Sequence, residues 1–524
     1  MRPQFAKHGI LRGLESVLRT DKAVLPTTFD GKFGRMFPDL QKANHNEHDL
    51  LELAKRMVAP ADVPPTSETE IDDEENTAIS AGYTYLGQFI DHDITFDPAS
   101  SLQKKNDINA LTDYRTPKLD LDNVYGRGPD DQPYLFDGDG IKFNLGKKIG
   151  GNPADPNTHD LVRSNPERGP KRAIVGDPRN DENQIVSQLQ GMFLRFHNSV
   201  VDFKRSLGET PEFSQVQQLV IWHYQWMVIH DFLPTIIRKD VIEDIFPHLK
   251  NSTSIQSTHP SLRLFEKHGN NESFMPVEFS VAAYRFGHSM IRPVYRLNQH
   301  RQRFFIFPDL TGFDTVADDM AIDWSLFFDF GTGKEKTSLR VQPAYKIDTS
   351  LVDPLGHLPA AIASNPSSLA ARNLIRGLKL GLPSGQAVAK QIYPNDPVIA
   401  DADLKIGKAT KKGNPQGKER NPSIDDVPEL AAFKGNAPLW FYILAEAMND
   451  FNQTKPIENS NPVRLGSVGG RLVAETFAWL LWKDKDSFVH GKYEDGNPWT
   501  PINEFKNAKG EFGIAELLKQ AMKA

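Results

Sequence analysis

The sequence predicts a mainly α-helical protein, folded as one large domain with long loops and little β-structure. Apolar residues recur at three- and four-residue steps over several long stretches, as in residues 185–200. Strand-like alternation is short, as in the segment around Phe305. No internal repeat is visible, and the loops lie between helical stretches without dividing the chain into parts of different composition. We therefore expect a single domain over residues 1–524.

The helical pattern can be placed along the chain. Asp177 followed by Pro178 predicts the beginning of one helix, because aspartate is a common N-cap and proline fits the first helical position. That helix carries the apolar stripe of residues 185–200, and four further stretches show the same spacing. They are residues 216–232, 369–378, 439–451 and 471–482.

Two segments have the composition of loops. Residues 59–78 are rich in carboxylates and contain two adjacent prolines, so we expect a solvated acidic connector there. Residues 401–426 are rich in lysine, glycine, asparagine and proline, and we expect a flexible loop whose basic residues are solvated.

The composition excludes several classes of protein. The 524 residues contain no cysteine, so disulfides, thiolate nucleophiles, iron–sulfur clusters and thiolate-ligated zinc are excluded. The 61 basic and 68 acidic residues give a net charge of −7, which does not indicate a nucleic-acid partner. We expect no transmembrane segment and see no N-terminal signal peptide. Secretion by another route stays possible, so the sequence does not predict the compartment.

Common hydrolase and nucleotide-binding motifs are absent. The chain has no H-E-x-x-H, G-x-S-x-G or Walker A sequence. Among its 15 histidines, His223 and His230 share one face of a predicted helix. We interpret this pair as core residues, because no Glu-x-x-His motif of a di-iron bundle accompanies it.

The segment GQFIDHDITFDP, residues 87–98, places a histidine between two aspartates on a predicted helix. On that helix Gln88, Asp91 and His92 share one face, whereas Asp93 points elsewhere. The two carboxylates should therefore serve different sites and not act as a paired acid and base.

Three further segments carry polar groups at spacings that suit a buried site. GDPRNDEN places Arg179 and Glu182 three residues apart at a helix start, so that their side chains project together. AAYRFGHSMIRP presents His288 after a glycine, which lets a bulky group approach closely. ARNLIRGLKLGLPSG places Asn373 and Arg376 on one helix face.

These four segments, in this order, resemble the signatures of the animal-type haem peroxidases of the peroxidase–cyclooxygenase superfamily, and the chain looks like a bacterial-style member without disulfides. The motifs run from residue 87 to about residue 385. The resemblance implies an iron-containing oxidoreductase that binds haem b, reduces hydrogen peroxide and oxidises halide, thiocyanate or small organic donors. It does not identify the physiological donor or the oligomeric state.

The resemblance also implies a catalytic role for residues on both sides of the haem. His288 would ligate the haem iron, and His92 would take a proton from hydrogen peroxide and return it to the departing water. Arg179 would stabilise the charge that develops as the O–O bond breaks, giving a ferryl species. Gln88 matches a residue near the halide pocket.

Five further residues would contact the cofactor if the resemblance holds. Asp91 and Glu182 match the residues that form ester bonds to haem methyl groups in mammalian members. Asn373 would accept a hydrogen bond from the second ring nitrogen of His288. Arg376 would pair with a haem propionate, and Arg285 would support the side of the haem on which His288 lies.

A calcium site is implied by a fifth match. The segment INALTDYRTPKLDLDNVYG, residues 108–126, resembles the calcium loop of the family. Hard oxygen ligands at alternating positions suit Ca²⁺. The expected ligands are Thr116, the carbonyl of Lys118, Asp120, Asp122 and, from the helix of His92, Asp93.

Three alternatives are left open by the sequence. A cyclooxygenase-like fatty-acid dioxygenase shares the scaffold but needs a tyrosine three residues before the proximal histidine, where this chain has Arg285. Tyr284 is one position away. A peroxinectin-like adhesion protein would use the scaffold for cell binding, although no RGD or KGD tripeptide is present. The third alternative is a scaffold that binds haem or calcium without catalysis.

Overall fold

Helices dominate the structure, a computed structural model that describes most of the chain. The predicted mainly α-helical class with long loops is confirmed. The described residues are 33–61, 74–95, 117–251, 253–268, 273–331, 340–360, 362–363, 365–409, 421–453 and 462–524.

The α-helices of the described residues fall close to the predicted stretches and add several short ones. They are α1 (Glu47–Arg56), α2 (Gly82–Ile94), α3 (Asp122–Tyr125), α4 (Gln184–Ser206), α5 (Phe213–Met227), α6 (Leu233–Ile236), α7 (Lys239–Ile245), α8 (Pro247–Asn251), α9 (Val277–Val281), α10 (Asp353–Gly356), α11 (Leu369–Lys379), α12 (Gly385–Ile392), α13 (Leu439–Gln453), α14 (Ser467–Lys483) and α15 (Ile514–Ala521). A π-helical turn, Val228–Phe232, joins α5 to α6. Short 3₁₀ helices occupy Pro133–Leu135, Pro178–Asp181, Ile255–Ser257, Arg263–His268, Ala283–His288, Trp324–Leu326, Asp401–Asp403, Pro428–Phe433, Phe488–His490 and Asn503–Phe505.

The strands form three small two-stranded sheets among the described residues. β1 (Phe33–Gly34) runs parallel to β3 (Met275–Pro276). β2 (Glu75–Ser80) is antiparallel to β6 (Pro343–Tyr345), and β4 (Val294–Tyr295) is antiparallel to β5 (Phe304–Phe305). The last pair confirms the strand expected around Phe305.

Helix α4 forms the centre of the core, where it packs against α2, α5 and α15. Every residue from Ile185 to Val201 on this helix is buried. Its buried Arg195 is neutralised by Asp155, whose carboxylate oxygens lie 2.5 and 3.0 Å from the guanidinium nitrogens. Because an uncompensated buried charge is costly, this pair allows a polar residue within the core.

The beginning of α4 differs from the prediction. Asp177 and Pro178 start a 3₁₀ helix, Pro178–Asp181, and α4 begins only at Gln184. The side chain of Asn183 caps α4 by accepting a hydrogen bond from the N–H of Ile185 at 2.8 Å. Asp177 caps the 3₁₀ helix and Asn183 caps α4, so the chain forms two helices where the apolar stripe predicts one.

The expected acidic connector over residues 59–78 is wrong at its C-terminal end. β2 occupies Glu75–Ser80, and Glu75 is buried. Its carboxylate is neutralised by Arg292 at 3.0 Å and Arg340 at 2.8 Å. Residues 62–73 lie outside the described residues.

The flanks of the expected flexible loop over residues 401–426 are packed against the protein. Lys405 pairs with Ser423 in a β-bridge, and Leu404, Ile406 and Ile424 are buried. The centre of that loop, residues 410–420, lies outside the described residues. Among the helices that the structure describes, none has the length and apolar character needed to cross a membrane.

Candidate active site

Helix α2 positions one group of predicted site residues. It begins at Gly82, where an added Cβ would lie 2.4 Å from the ring of Phe328, so only glycine allows this close approach. Gln88 and His92 lie on the same face of the helix and both approach Glu182. Asp93 points to a different place, as the helical spacing predicts.

His92 is buried, and both of its ring nitrogens lie near side-chain oxygens. Its Nδ1 lies 2.7 Å from Oδ1 of Asn180, and its Nε2 lies 3.5 Å from Oε1 of Glu182. That Glu182 oxygen accepts a hydrogen bond of 2.5 Å from the side-chain amide of Gln88. Burial raises the pKa of Glu182 to about 7, and the positive charge of Arg179 opposes the shift. An imidazole nitrogen and a carboxyl group whose pKa is raised therefore lie side by side.

Arg179 is fixed at the C-terminal end of α2. Its guanidinium pairs with Asp177 at 2.8 Å and donates hydrogen bonds to the carbonyl oxygens of His92 and Thr95, at 3.0 and 2.5 Å. The expected projection of Arg179 together with Glu182 is not observed as an ion pair. Arg179 binds the buried Asp177, which also caps the 3₁₀ helix, and Glu182 turns towards Gln88 and His92.

The carboxylate of Asp91 feels the charge of one arginine from each half of the site. Burial raises its pKa above the ordinary value, and the charges of Arg179 and Arg285 oppose this shift. Its carboxylate also accepts a hydrogen bond of 3.1 Å from the hydroxyl of Thr95. Helix α2 also packs against the 3₁₀ helix Ala283–His288, so the segment of His92 and the segment of His288 are neighbours in the fold.

His288 is at the end of the 3₁₀ helix Ala283–His288 and is paired with α11. Its Nδ1 lies 2.8 Å from Nδ2 of Asn373, whose Oδ1 accepts a hydrogen bond of 2.9 Å from Arg285. Burial and, secondarily, the charge of Arg285 lower the pKa of His288 to about 3, so the ring is neutral at physiological pH.

The orientation of Asn373 differs from the expected one. The amide nitrogen, and not the oxygen, faces His288. Ligation of a metal through Nε2 leaves the proton on Nδ1 and therefore requires an acceptor there. A 180° rotation of the Asn373 amide supplies that acceptor and ends the hydrogen bond that Arg285 now donates to its oxygen.

Positive charge is concentrated on the His288 side. Burial lowers the pKa of Arg285, and the nearby positive charges of Arg376 and Arg372 lower it further. Next to His288, Gly287 is open, because no atom of the described residues lies within 4 Å of the place that a Cβ would take. A partly open space with cationic walls therefore adjoins His288.

A second polar cluster lies behind the His92 face. One carboxylate oxygen each from Asp93, Asp120 and Asp122 lies within 4.8 Å of the other two. Neither oxygen of Asp93 accepts a hydrogen bond from the described residues, although the Tyr224 hydroxyl and the Leu121 N–H face it. Burial and the two neighbouring aspartates raise the pKa of Asp93 well above its ordinary value.

Comparison with known proteins identifies the family. Residues 100–393, more than half of the chain, match the sequence model described as animal haem peroxidase. The chain belongs to the animal haem peroxidase family. Membership implies haem binding and an oxidoreductase scaffold.

The relatives of this family member are distant. A peroxidase-like protein of Margaritifera margaritifera is 30% identical over 132 residues, which are 23% of this chain and 14% of that protein. The chain thus spans less than two thirds of the curated relatives it matches. Peroxidase A of Dictyostelium discoideum has a similar fold, with a TM-score of 0.56 at 14% identity over 91% of this chain and 93% of that chain. The fatty acid α-dioxygenase of Oryza sativa gives a TM-score of 0.52 at 12% identity, covering 92% and 79%.

The residues of the site fit the haem of an animal haem peroxidase. A neutral imidazole beside an open glycine offers an iron ligand, and Asn373 contacts its second nitrogen. The cationic group of Arg285, Arg372 and Arg376 suits the two carboxylates of haem propionates. Helix α2, with Gln88, Asp91 and His92, packs against both the 3₁₀ helix that contains Arg179 and the 3₁₀ helix that ends at His288.

The carboxylate cluster likewise fits a divalent cation. Three oxygen ligands and the buried, unsatisfied carboxylate of Asp93 match the preference of Ca²⁺ for hard donors. Of the remaining predicted ligands, Thr116 lies outside the described residues. The ammonium group of Lys118 pairs with Asp484 at 3.1 Å, and ligation by its carbonyl stays a prediction.

Three residues of the site were missed by the sequence analysis. Asn180 contacts His92, Asp177 anchors Arg179, and Arg372 adds charge beside Arg285. Asn180 and Asp177 flank Arg179 within GDPRNDEN, so the motif itself contained the signal. Arg372 precedes Arg376 by four residues, the spacing of one helix face.

Proposed function

We propose that this chain is a haem peroxidase that reduces hydrogen peroxide and oxidises halide, thiocyanate or small organic donors. The observation that carries the proposal is that helix α2, which bears His92, packs against the 3₁₀ helix Ala283–His288, which ends at His288. The contact between these two elements supports a site in which one histidine transfers protons and the other ligates iron, as a peroxidase requires.

His288 would hold the haem iron, with Asn373 at its other nitrogen and the arginine group at the propionates. Bound haem supplies the iron at which the peroxide bond breaks and the donor is oxidised. His288 is neutral because of its burial, and Nε2 becomes available as a ligand once the Asn373 amide rotates so that its oxygen accepts from the N–H at Nδ1. Contact with Asn373 orients the ring, so that the protein fixes the direction of the ligand.

His92, Arg179 and Gln88 would handle the peroxide. Nε2 of His92 accepts the proton of incoming hydrogen peroxide and returns it to the departing water, a transfer that requires the neutral ring. Arg179 holds its positive charge in place through Asp177 and two carbonyl oxygens, so no reorganisation is needed as negative charge develops. Gln88 orients Glu182 next to His92 through a hydrogen bond of 2.5 Å.

Ester anchoring of the haem through Asp91 and Glu182 belongs to the same proposal. Both carboxyl groups adjoin the proposed cofactor space, and burial raises the pKa of each. Acid–organic extraction tests it, since free haem leaves the denatured protein and ester-linked haem stays attached. Complete extraction from the peroxide-treated wild type would contradict the linkage without affecting the peroxidase proposal.

A bound Ca²⁺ completes the proposal. The ion would neutralise Asp93, Asp120 and Asp122, and because Asp93 follows His92 directly, it would fix the end of α2 that carries the base. The ion is proposed as structural and takes no part in proton transfer.

The fatty-acid dioxygenase remains the principal alternative function. Its scaffold is similar, as the rice enzyme shows. The position three residues before His288 is Arg285, and the neighbouring Tyr284 stacks on Phe279 with ring centroids 4.7 Å apart. We therefore expect no consumption of oxygen with palmitate, which an oxygen electrode measures directly.

The decisive assay is peroxide-dependent oxidation by the haem-loaded protein. Bromide, thiocyanate and a phenolic dye serve as donors, and His92→Gln tests the base. Loss of a general base typically costs about 10²- to 10⁴-fold in rate. The control is His223→Gln, which changes a buried histidine bonded to Leu219 and Ile502. Equal turnover in the wild type and His92→Gln, or no turnover with any donor, would contradict the proposed function.

A further inference from the structure

Tyr83 and Asp231 form a partly buried hydrogen bond that the proposed function does not use. The hydroxyl of Tyr83, at the beginning of α2, donates to Oδ1 of Asp231 at 2.6 Å, and the hydroxyl of Thr235 also faces the phenol. Asp231 lies in the π-helical turn Val228–Phe232, and such turns are frequent at functional sites. Its other carboxylate oxygen accepts from the N–H of Ile514 at 2.7 Å. A phenol and a proton acceptor are thus held in direct contact.

The surroundings of Asp231 favour its protonated form. Burial raises the pKa of this carboxyl group above its ordinary value, while the hydrogen bonds from Tyr83 and Ile514 oppose the shift. The negative charge of Glu516 adds to the rise. Transfer of the phenol proton to Asp231 therefore removes a negative charge from a poorly solvated place.

A second tyrosine in contact with a side-chain base provides the comparison. The hydroxyl of Tyr125 lies 3.0 Å from Nδ1 of His197, and Nε2 of that ring lies 2.8 Å from the carbonyl oxygen of Ile141. Burial lowers the pKa of His197 to about 4, so a proton moved from Tyr125 would create a cation in the core. Loss of an electron and transfer of the proton neutralise the pair of Tyr83 and Asp231, whereas they charge the pair of Tyr125 and His197.

Aromatic rings lead from the candidate active site towards Asp231. Phe232 directly follows Asp231, and its ring centroid lies 6.4 Å from that of Tyr284. Tyr284 is in turn within electrostatic range of Asp91. Tyr83 and Asp91 both belong to α2 and are eight residues, or about 12 Å, apart along its axis. About two helical turns therefore separate the phenol from the proposed haem space.

We propose that Tyr83 and Asp231 form a redox-active pair that holds one oxidising equivalent outside the haem space. Tyr83 loses one electron to haem that hydrogen peroxide has oxidised, and its O–H proton passes to Oδ1 of Asp231. The products are a neutral tyrosyl radical, a protonated carboxyl group and haem reduced by one electron. A reducing donor later returns the electron, and the proton moves back to the phenol oxygen. Oxidation by haem rests on the proposed peroxidase function, whereas proton transfer within the pair does not.

Electron paramagnetic resonance of the haem-loaded protein, frozen after mixing with hydrogen peroxide, tests the pair. We expect a tyrosyl signal that narrows when the tyrosines carry ring deuterium. Tyr83→Phe keeps the ring contact with Phe328 and should lose the signal. Asp231→Asn keeps an oxygen that can accept one hydrogen bond but not a proton, so it should lose the signal too. Tyr125→Phe is the matched control and should keep it.

Three results in this assay would overturn the proposal. The first is a signal of wild-type size in Tyr83→Phe or in Asp231→Asn. The second is a signal that disappears in Tyr125→Phe. The third is a wild type in which peroxide changes the Soret band and no tyrosyl signal forms.

A different oxidant makes the test independent of the peroxidase function. A ruthenium(III) polypyridyl complex, generated by a laser flash with persulfate as the electron acceptor, is applied to the purified full chain without peroxide. The tyrosyl signal should again decrease in Tyr83→Phe and Asp231→Asn and stay at the wild-type level in Tyr125→Phe. Equal signals in all four proteins would overturn the pair. A Soret band that does not respond to peroxide would contradict only the peroxidase function.

Discussion

The carboxylate cluster of Asp93, Asp120 and Asp122 yields the sharpest stability prediction. The three oxygens lie within 4.8 Å of one another. At an effective dielectric constant of about 20, two unit charges at that distance repel by roughly 3.5 kcal/mol. Asp93 takes part in two of the three pairs, so Asp93→Asn removes roughly 7 kcal/mol of gross repulsion from the calcium-free protein. Solvent screening and proton uptake reduce this repulsion. The test therefore relies on the sign of the change in melting temperature and not on its size.

Thermal unfolding in chelator and in millimolar Ca²⁺ measures this sign. A ligand at 100 times its Kd stabilises by about 2.7 kcal/mol. For a chain of this size 1 kcal/mol corresponds to about 1 °C, so the wild type should gain about 2 to 3 °C with Ca²⁺. Asp93→Asn should melt above the wild type in chelator and should lose most of the response to Ca²⁺.

The matched control is Asp155→Asn, which breaks the buried pair with Arg195 far from any proposed ion. It should lower the melting temperature by the same amount in chelator and in Ca²⁺. The reasoning would be refuted by a wild type that does not respond to Ca²⁺, or by an Asp93→Asn variant that is destabilised equally in both conditions.

Two further predictions concern the helices around the site. Burial raises the pKa of Glu446 to about 7 from the ordinary 4.5, while its carboxylate accepts hydrogen bonds from Val468 and Gly469 at the start of α14. A carboxyl group whose pKa is raised by folding stabilises the protein fully below its unfolded pKa, and this stability is lost as the pH rises through its folded pKa. From pH 4.5 to pH 8 the free energy of unfolding of Glu446→Gln should therefore increase by about 3 kcal/mol relative to that of the wild type. A difference in melting temperature between the two proteins that stays constant across this range would contradict the prediction. Phe193→Ala removes a ring that stacks on Phe89 of α2, with the ring centroids 4.2 Å apart. It should lower the free energy of unfolding, measured by chemical denaturation, by about 3 to 5 kcal/mol and weaken haem retention. A decrease in the free energy of unfolding of less than about 1 kcal/mol would show that the stacked pair does not stabilise α2.

Local patterns were sufficient to predict much of the fold and part of the site. The apolar stripes predicted the long helices, because burial of one helix face follows from spacing alone. The same argument placed Gln88 and His92 on one face and Asp93 on another, and the structure agrees.

Contacts between distant segments were beyond the reach of these patterns. Glu75 was expected to be solvated, yet Arg292 and Arg340, more than 200 residues away in sequence, neutralise it in the core. Arg179 was expected to project together with Glu182. In the structure Arg179 forms an ion pair with Asp177, and Glu182 accepts a hydrogen bond from Gln88. Asn180 contacts His92 only because the 3₁₀ helix Pro178–Asp181 packs against α2. Such partners depend on tertiary geometry, which local spacing does not contain.

The central claim is that this chain binds haem through His288. The direct measurement is titration of the haem-free protein with haem, followed by the Soret band and by iron content, in the wild type, His288→Ala and the control His223→Gln. We predict one haem per chain in the wild type and in the control, and loss of stoichiometric binding in His288→Ala. A Soret band and iron content unchanged in His288→Ala, or absent from the wild type, would contradict the account.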